Sequence, residues 1–110
     1  MWQGLSLTMI SKLKQVLAEW IAEGYIEGEL TLEPECYVLW QPDELEEINQ
    51  DYQLCEFAPE FITFGGNGGG ELLVINDKEE VFYIPTIGIS PKAAIKIANN
   101  LKTFKQSMSK

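Results

Sequence analysis

The 110-residue chain has no histidine and no arginine, and only two of its residues are cysteine. Without histidine there is no Ser-His-Asp or Cys-His nucleophile system, no imidazole general base and no imidazole ligand for zinc or haem. Without arginine there is no bidentate fork for phosphate and no guanidinium to read guanine. Cys36 and Cys55 form no CxxC pair, so their spacing supports neither a metal site nor a dithiol. Two buried free thiols in a reducing compartment are the expectation.

Long apolar runs are missing as well, and none approaches the ~20 residues that span a bilayer. Met1-Trp2-Gln3-Gly4-Leu5 carries no basic segment, and Lys12 and Lys14 interrupt any signal-like core. A cytoplasmic protein is expected. Positive charge is scarce too, with 8 lysines against 17 acids and a formal charge of −9. Nucleic acid and anionic membranes recruit through Lys/Arg charge, so neither is expected as a partner.

What is present is an ordinary globular composition, 45% hydrophobic and 23% charged. The length suits one domain over residues 1–110. For a mass of 12.4 kDa, area scaling gives about 6,100 Å² exposed when folded against about 18,000 Å² extended, so one core forms without disulfide, metal or cofactor.

Leu5, Met9, Leu13, Val16, Leu17, Trp20 and Ile21 recur at steps of three and four, which predicts an amphipathic helix stopped by Gly24. From Tyr25 to Glu33 the period changes to two. Ile26, Gly28, Leu30 and Leu32 take one face of a strand, while Glu27, Glu29, Thr31 and Glu33 take the other. After Pro34, residues 36–40 read as a second, antiparallel strand. Pro42 and the acids Asp43, Glu44, Glu46 and Glu47 suit the start of a short helix with Leu45, Ile48 and Tyr52 inward.

Residues 57–64 predict an extended run, and the glycine-rich residues 65–70 a tight connection with positive φ angles. Residues 71–76 and 79–84 then flank a polar turn as a hairpin. Ser90 and Pro91 predict the start of a C-terminal helix with Ala94, Ile97, Ala98, Leu101, Phe104 and Met108 on its stripe. The order implies an α+β fold: an antiparallel β-sheet with an N-terminal, a short middle and a C-terminal helix packed to one side.

Few motifs carry chemistry. The glycine run lacks the Lys-Ser/Thr of a P-loop and the following helix of a dinucleotide fingerprint. A cation among Asn67, Glu71 and Asp77 would lack the regular oxygen spacing of a calcium loop. Carboxylate pairs of the glycosidase kind arise by chance in so acidic a chain, and such chemistry needs a larger cleft-bearing domain. The first helix followed by residues 24–28 resembles part of a winged-helix reader, yet it offers Glu19, Glu23, Glu27 and Glu29 where phosphate requires lysine. No catalytic residue and no metal ligand emerges.

The charge distribution is more telling. All 17 acids lie between Glu19 and Glu80, where Lys78 is the sole base, giving that window −16. Either this is a solvated face that keeps the protein soluble, or it is an electronegative docking surface that steers a basic protein partner. On the second reading Glu27, Glu29, Glu33, Asp43, Glu44, Glu46, Glu47, Asp51, Glu56 and Glu60 form the partner-binding set, and the alternation along the strand favours a contiguous patch.

The order of motifs also resembles a known family. Residues 37–40 ending in Trp40, then Glu44 to Asn49 with Tyr52, then Pro59, Phe61, Phe64 and Gly65, then Gly68-Gly69-Gly70-Glu71, then the strand holding Tyr83 and Pro85 look like the SUKH superfamily, the Smi/Knr group. The resemblance spans about residues 24 to 104 and implies an α+β fold with an antiparallel sheet. It implies a non-enzymatic immunity protein that neutralises a basic, nuclease-type toxin domain. The alternative it implies is an intracellular scaffold or regulatory protein-interaction module. Family members commonly have an earlier helix and an Asn-Gly turn where this chain has Glu27-Gly28.

Overall fold

The structure, a computed structural model, describes residues 4–110, with side chains from Thr8 onward. Met1 to Gln3 and the Leu5 side chain lie outside the described residues. Helix α1 (Gly4–Ala22) buries Met9, Leu13, Leu17 and Trp20 of the predicted stripe and adds Ile10, while Val16 and Ile21 are half-buried beside them. Its end is closed by the Gly24 amide on Ile21 O at 2.9 Å and the Tyr25 amide on Trp20 O at 3.0 Å. Tyr25 is thereby committed to the helix end, so β1 spans only Glu27–Leu30. Ile26, expected inside, is 47% exposed.

Strand β2 (Cys36–Leu39) is followed by a 3-10 turn (Pro42–Glu44), helix α2 (Leu45–Asp51) and a one-turn helix α3 (Leu54–Phe57). Helix α3 ends on Phe57, the first residue of the expected extended run, residues 59–60 turn, and the strand begins only at Ile62. Pro59 restricts only the residue before it, Ala58, which leaves the helical region at φ −150° while residues 54–57 remain free to coil. Strands β3 (Ile62–Gly66), β4 (Glu71–Ile75) and β5 (Val81–Pro85) follow; Gly65 and Gly66 belong to β3, so the expected glycine connection narrows to residues 67–70, and β4 and β5 form the expected hairpin.

The predicted long C-terminal helix is divided. Ser90 is extended and makes no side-chain cap; Pro91–Ala93 is a single 3-10 turn and Ile95–Ala98 is strand β6. Asn100 is the true helix cap, its side chain accepting the Thr103 amide at 2.8 Å, and it opens α4 (Leu101–Gln106). Met108–Ser109 closes the chain as β7. The apolar spacing of 94–108 fits a helix, but β5 offers an open edge, and the β-branched Ile95, Lys96 and Ala98 pair onto it with Ile97 at a register shift.

All strand pairs are antiparallel, in the order β6-β5-β4-β3-β2-β1-β7. β6 and β7 therefore hold opposite edges although α4 alone joins them. A flat seven-stranded sheet would separate its edges by about 29 Å, while a six-residue helix and four extended residues reach about 23 Å. The sheet must curl, and Phe104 of α4 is fully buried in the concavity with α1.

The two faces carry separate cores: the three expected helices, α1, α2 and α4, pack on the first, and the additional α3 packs on the second. Leu13, Leu17, Tyr37, Phe64, Leu73, Ile75 and Phe104 belong to the first, and Leu54, Ala58, Phe61, Leu72, Val74 and Ile84 to the second. Consecutive residues of β4 thus alternate between two buried faces, which explains its unbroken apolar run. The exposed area, 6079 Å², matches the value expected from mass.

Candidate partner-binding surface

The β1–β2 register places Gly28 opposite Tyr37 and Glu29 opposite Cys36. Tyr37 and Leu30 turn into the first core, so Glu27, Glu29 and Cys36 project from the other face. The second core covers β3, β4 and β5 but does not extend over this pair, and Cys36 is exposed, not buried as expected; Cys55 is half-buried. A Cβ on Gly28 would lie 2.0 Å from Ser109 O. Glycine here lets Tyr37 reach across β1 and donate its hydroxyl to Ser109 O of β7 at 2.9 Å.

Helices α2 and α3 wrap one end of the sheet, with Leu45 in the first core and Leu54 in the second. Asp43, Glu44, Glu46, Glu47, Asp51, Glu56 and Glu60 are all exposed along this turn of chain, as is Glu33 in the β1–β2 turn. Lys14 of α1 holds Glu46 at 2.5 Å. Glu33 lies within electrostatic reach of Tyr83, whose hydroxyl is pushed up by burial first and then by Glu33 and Glu71. The acids thus fall into groups. Glu27 and Glu29 lie on the face away from the first core, Asp51 beside Tyr52 and Phe57, Glu46 is drawn to Lys14 of α1, and Glu33 acts on Tyr83.

Residues 27–60 contain eleven acids and no base. Among the described residues the ion pairs are Lys12–Glu79, Lys14–Glu46, Lys96–Glu80 and Lys105–Glu23, so only Glu46 of those eleven is paired.

Several of the residues behind the family resemblance are packed or hydrogen-bonded inside the fold. Asn49 is buried and bonded to Thr63; Trp40 donates its indole N–H to the Thr63 hydroxyl at 3.1 Å. Phe61 meets Phe82 edge-on at 4.9 Å between ring centres, and Phe64 meets Phe104 at 5.4 Å. Tyr52 and Tyr83 are half-buried against the second and first core, while Pro59 is exposed and Pro85, paired with Glu71, is half-buried. A Cβ on Gly65 would crowd Val38 O at 2.7 Å.

In the glycine loop, Gly68 and Gly70 take φ +75° and +107°, and Gly69 is exposed. The amides of Gly69 and Glu71 both donate to Asn67 Oδ1, at 2.9 and 3.0 Å, and Asn67 Nδ2 donates to Glu71 Oε1 at 2.8 Å. These amides are engaged inside the loop instead of facing outward to cradle phosphate. Asp77 lies at the other end of β4, so Asn67, Glu71 and Asp77 do not come together. Among the described residues no group of three or more His, Cys, Asp or Glu is placed to hold a metal, and no helix is long and apolar enough to cross a membrane.

One feature escaped sequence reading. A cleft of about 330 Å³ opens between Tyr52, Gln53 and Phe57 on one side and Thr86, Gly88 and Ile89 on the other, with Asp51 in its wall. Phe57 is 47% exposed and Ile87, on the crest of the same loop, 90%. The available signal was Ile87-Gly88-Ile89, two isoleucines around a glycine in a stretch assigned to no helix or strand. No protein-family model matches the chain, and no curated protein matches it.

Proposed function

We propose that this chain is a non-enzymatic cytoplasmic binding protein, an immunity protein of the SUKH type that neutralises a basic, nuclease-type toxin domain through its acidic surface. The observation that carries this reading is the run of exposed carboxylates between Glu27 and Glu60, of which all but Glu46 lack an ion pair. Charges left unpaired by their own protein are free to attract a basic partner over about a Debye length, ~8 Å at physiological salt. A toxin that holds phosphate presents such a basic surface, and covering it blocks substrate.

The test is a binding titration against toxin domains encoded beside the gene, at low and high salt. Binding that weakens steeply with salt and abolishes nuclease activity is expected. Absence of binding to every such domain at low salt would sink the proposal.

A further inference from the structure

We propose that the cleft between Phe57 and the Thr86–Ile89 loop is the anchor point of the partner interface, receiving an apolar side chain flanked by lysines or arginines on a protein partner. This rests on the reading of the chain as a binder of basic proteins and assigns the place where the energy of that binding concentrates.

Charge alone steers a partner but gives little affinity at an exposed rim; affinity comes from a few desolvated apolar anchors in pockets surrounded by polar contacts. Among the described residues four large hydrophobic side chains are exposed: Ile26, Phe57, Ile87 and Ile95. Ile26 and Ile95 stand singly on β1's approach and on β6, as scattered surface apolars commonly do. Phe57 instead lines a concavity whose wall also holds Tyr52 and Ile89, and the 90% exposed Ile87 stands in sequence between Thr86 and Gly88 of that wall.

The local fold explains why Phe57 is outside. Leu54 and Ala58 of the same turn are fully buried in the second core, which fixes α3 on the sheet and leaves the last residue of the helix to project. The cavity of about 330 Å³ is at the small end of the roughly 300–1,000 Å³ that ligand pockets span, a size for one or two side chains.

Charge selects the occupant. Asp51 lines the cleft, Glu56 precedes Phe57 and Glu60 follows α3; all three are exposed and none has an ion pair. No lysine lines the cleft. An acidic partner or an anionic ligand is therefore disfavoured there, and an apolar residue on a basic strand or helix is matched in both respects. Another concavity, beside Lys96, Ile97, Ala98, Asn99 and Thr103, has a lysine in its wall already committed to Glu80 at 2.7 Å and lacks this combination.

The experiment has two arms. In the first, amide chemical shifts of the full chain are followed by NMR during titration with a peptide of leucine flanked by lysines, one with serine replacing leucine, and one with glutamates replacing the lysines. Shifts at Asp51 to Phe57 and Thr86 to Ile89, saturating with the leucine-lysine peptide at low millimolar concentration and at least about 10-fold weaker with the other two, are expected. No saturable shift at these residues, or equal shifts with all three peptides, overturns the proposal.

In the second arm, Ile87→Ser and Phe57→Ser are compared with Glu27→Gln in the toxin titration. Ile87 is 90% exposed and Phe57 47%, and an unchanged melting temperature verifies that each variant keeps the fold. A loss of about 10-fold or more in affinity for each cleft variant, against less than about 3-fold for Glu27→Gln, is expected. Toxin binding that is indifferent to both cleft variants overturns the anchor while leaving the immunity reading intact. Failure of every toxin to bind refutes that reading, and the peptide arm still decides the cleft.

Discussion

Asn49 donates from Nδ2 to the carbonyl oxygen of Thr63 at 3.0 Å and accepts the Thr63 amide on Oδ1 at 2.8 Å. One side chain thus pairs with both backbone groups of a residue, as a neighbouring strand would. The pairing falls where β3 shifts register between Thr63 and Gly65, and the Thr63 hydroxyl lies 2.9 Å from both Gly65 O and Leu73 O. Asn49→Ala leaves a buried donor and acceptor without partners, at about 1–3 kcal/mol each. Urea denaturation should show a loss of about 2–4 kcal/mol; a loss below about 0.5 kcal/mol would mean that the clamp does not hold α2 to the sheet.

Gly28→Ala should be destabilising out of proportion to its size, because the added methyl meets the Ser109 carbonyl and pushes β7 from the sheet. Tyr37→Phe removes the hydroxyl that bridges the same strands and should cost about 0.5–1.5 kcal/mol. The two substitutions act on one contact, so a double-mutant cycle should give less than the sum of the single losses.

Alkaline stability should depend on Tyr37. Burial, aided by the nearby Tyr25, raises its hydroxyl above the ordinary 10.0. A group whose folded value is raised contributes stability that is complete below its unfolded value and lost as pH rises through the folded one. Stability should therefore fall above about pH 10, and Tyr37→Phe should flatten that limb in melts taken between pH 9 and 12.

At the acid end, the carboxyl of Glu80 is held below its ordinary 4.5, first by the hydrogen bond from Lys96 and then by that from Asn76. The sign is opposite to that of tyrosine: the contribution is present above the unfolded value and disappears as pH falls through the folded one. NMR titration of Glu80 should give a midpoint below 4.5 that moves upward in Lys96→Met.

Charge reversal of Glu44, Glu46 and Glu47 to lysine should slow toxin association by about 10-fold or more at low salt and leave the melting temperature nearly unchanged. Equal association rates would reduce this helix to a solvated face. Glu46→Gln alone should matter least, because Lys14 already answers that charge.

Periodicity was a sound guide where one face of an element decided its fate. The stripe of α1 and the alternating Glu27 and Glu29 are such cases, and Asn76 to Glu79 marked the hairpin turn. It misled at Ala94 to Met108, where helical spacing and a free sheet edge made competing demands and the edge prevailed. Asn67 and Asn76 each stand four residues before a glutamate, and both make the same turn. Asn76 Oδ1 accepts the Lys78 and Glu80 amides while its Nδ2 donates to Glu80, matching Asn67 bond for bond. The acidic surface was legible because charge stays outside wherever the chain goes. The cleft was not, since exposure of Phe57 depends on how Leu54 seats in a second core that no single segment announces.

Strands β1 to β6 are each paired to the next in sequence, whereas β7 pairs β1 through Leu30–Met108 and Glu29–Ser109, residues 78 and 80 positions apart. The meander can assemble between sequence neighbours, with only the β2–β3 connection long enough to hold α-helices, but its closure carries the longest loop entropy in the sheet. That seam should form after the folding barrier has been crossed. Substitutions at Gly28 or Tyr37 should then speed unfolding and leave refolding rates almost untouched, which makes the β1–β7 edge the place that sets how long a folded molecule lasts.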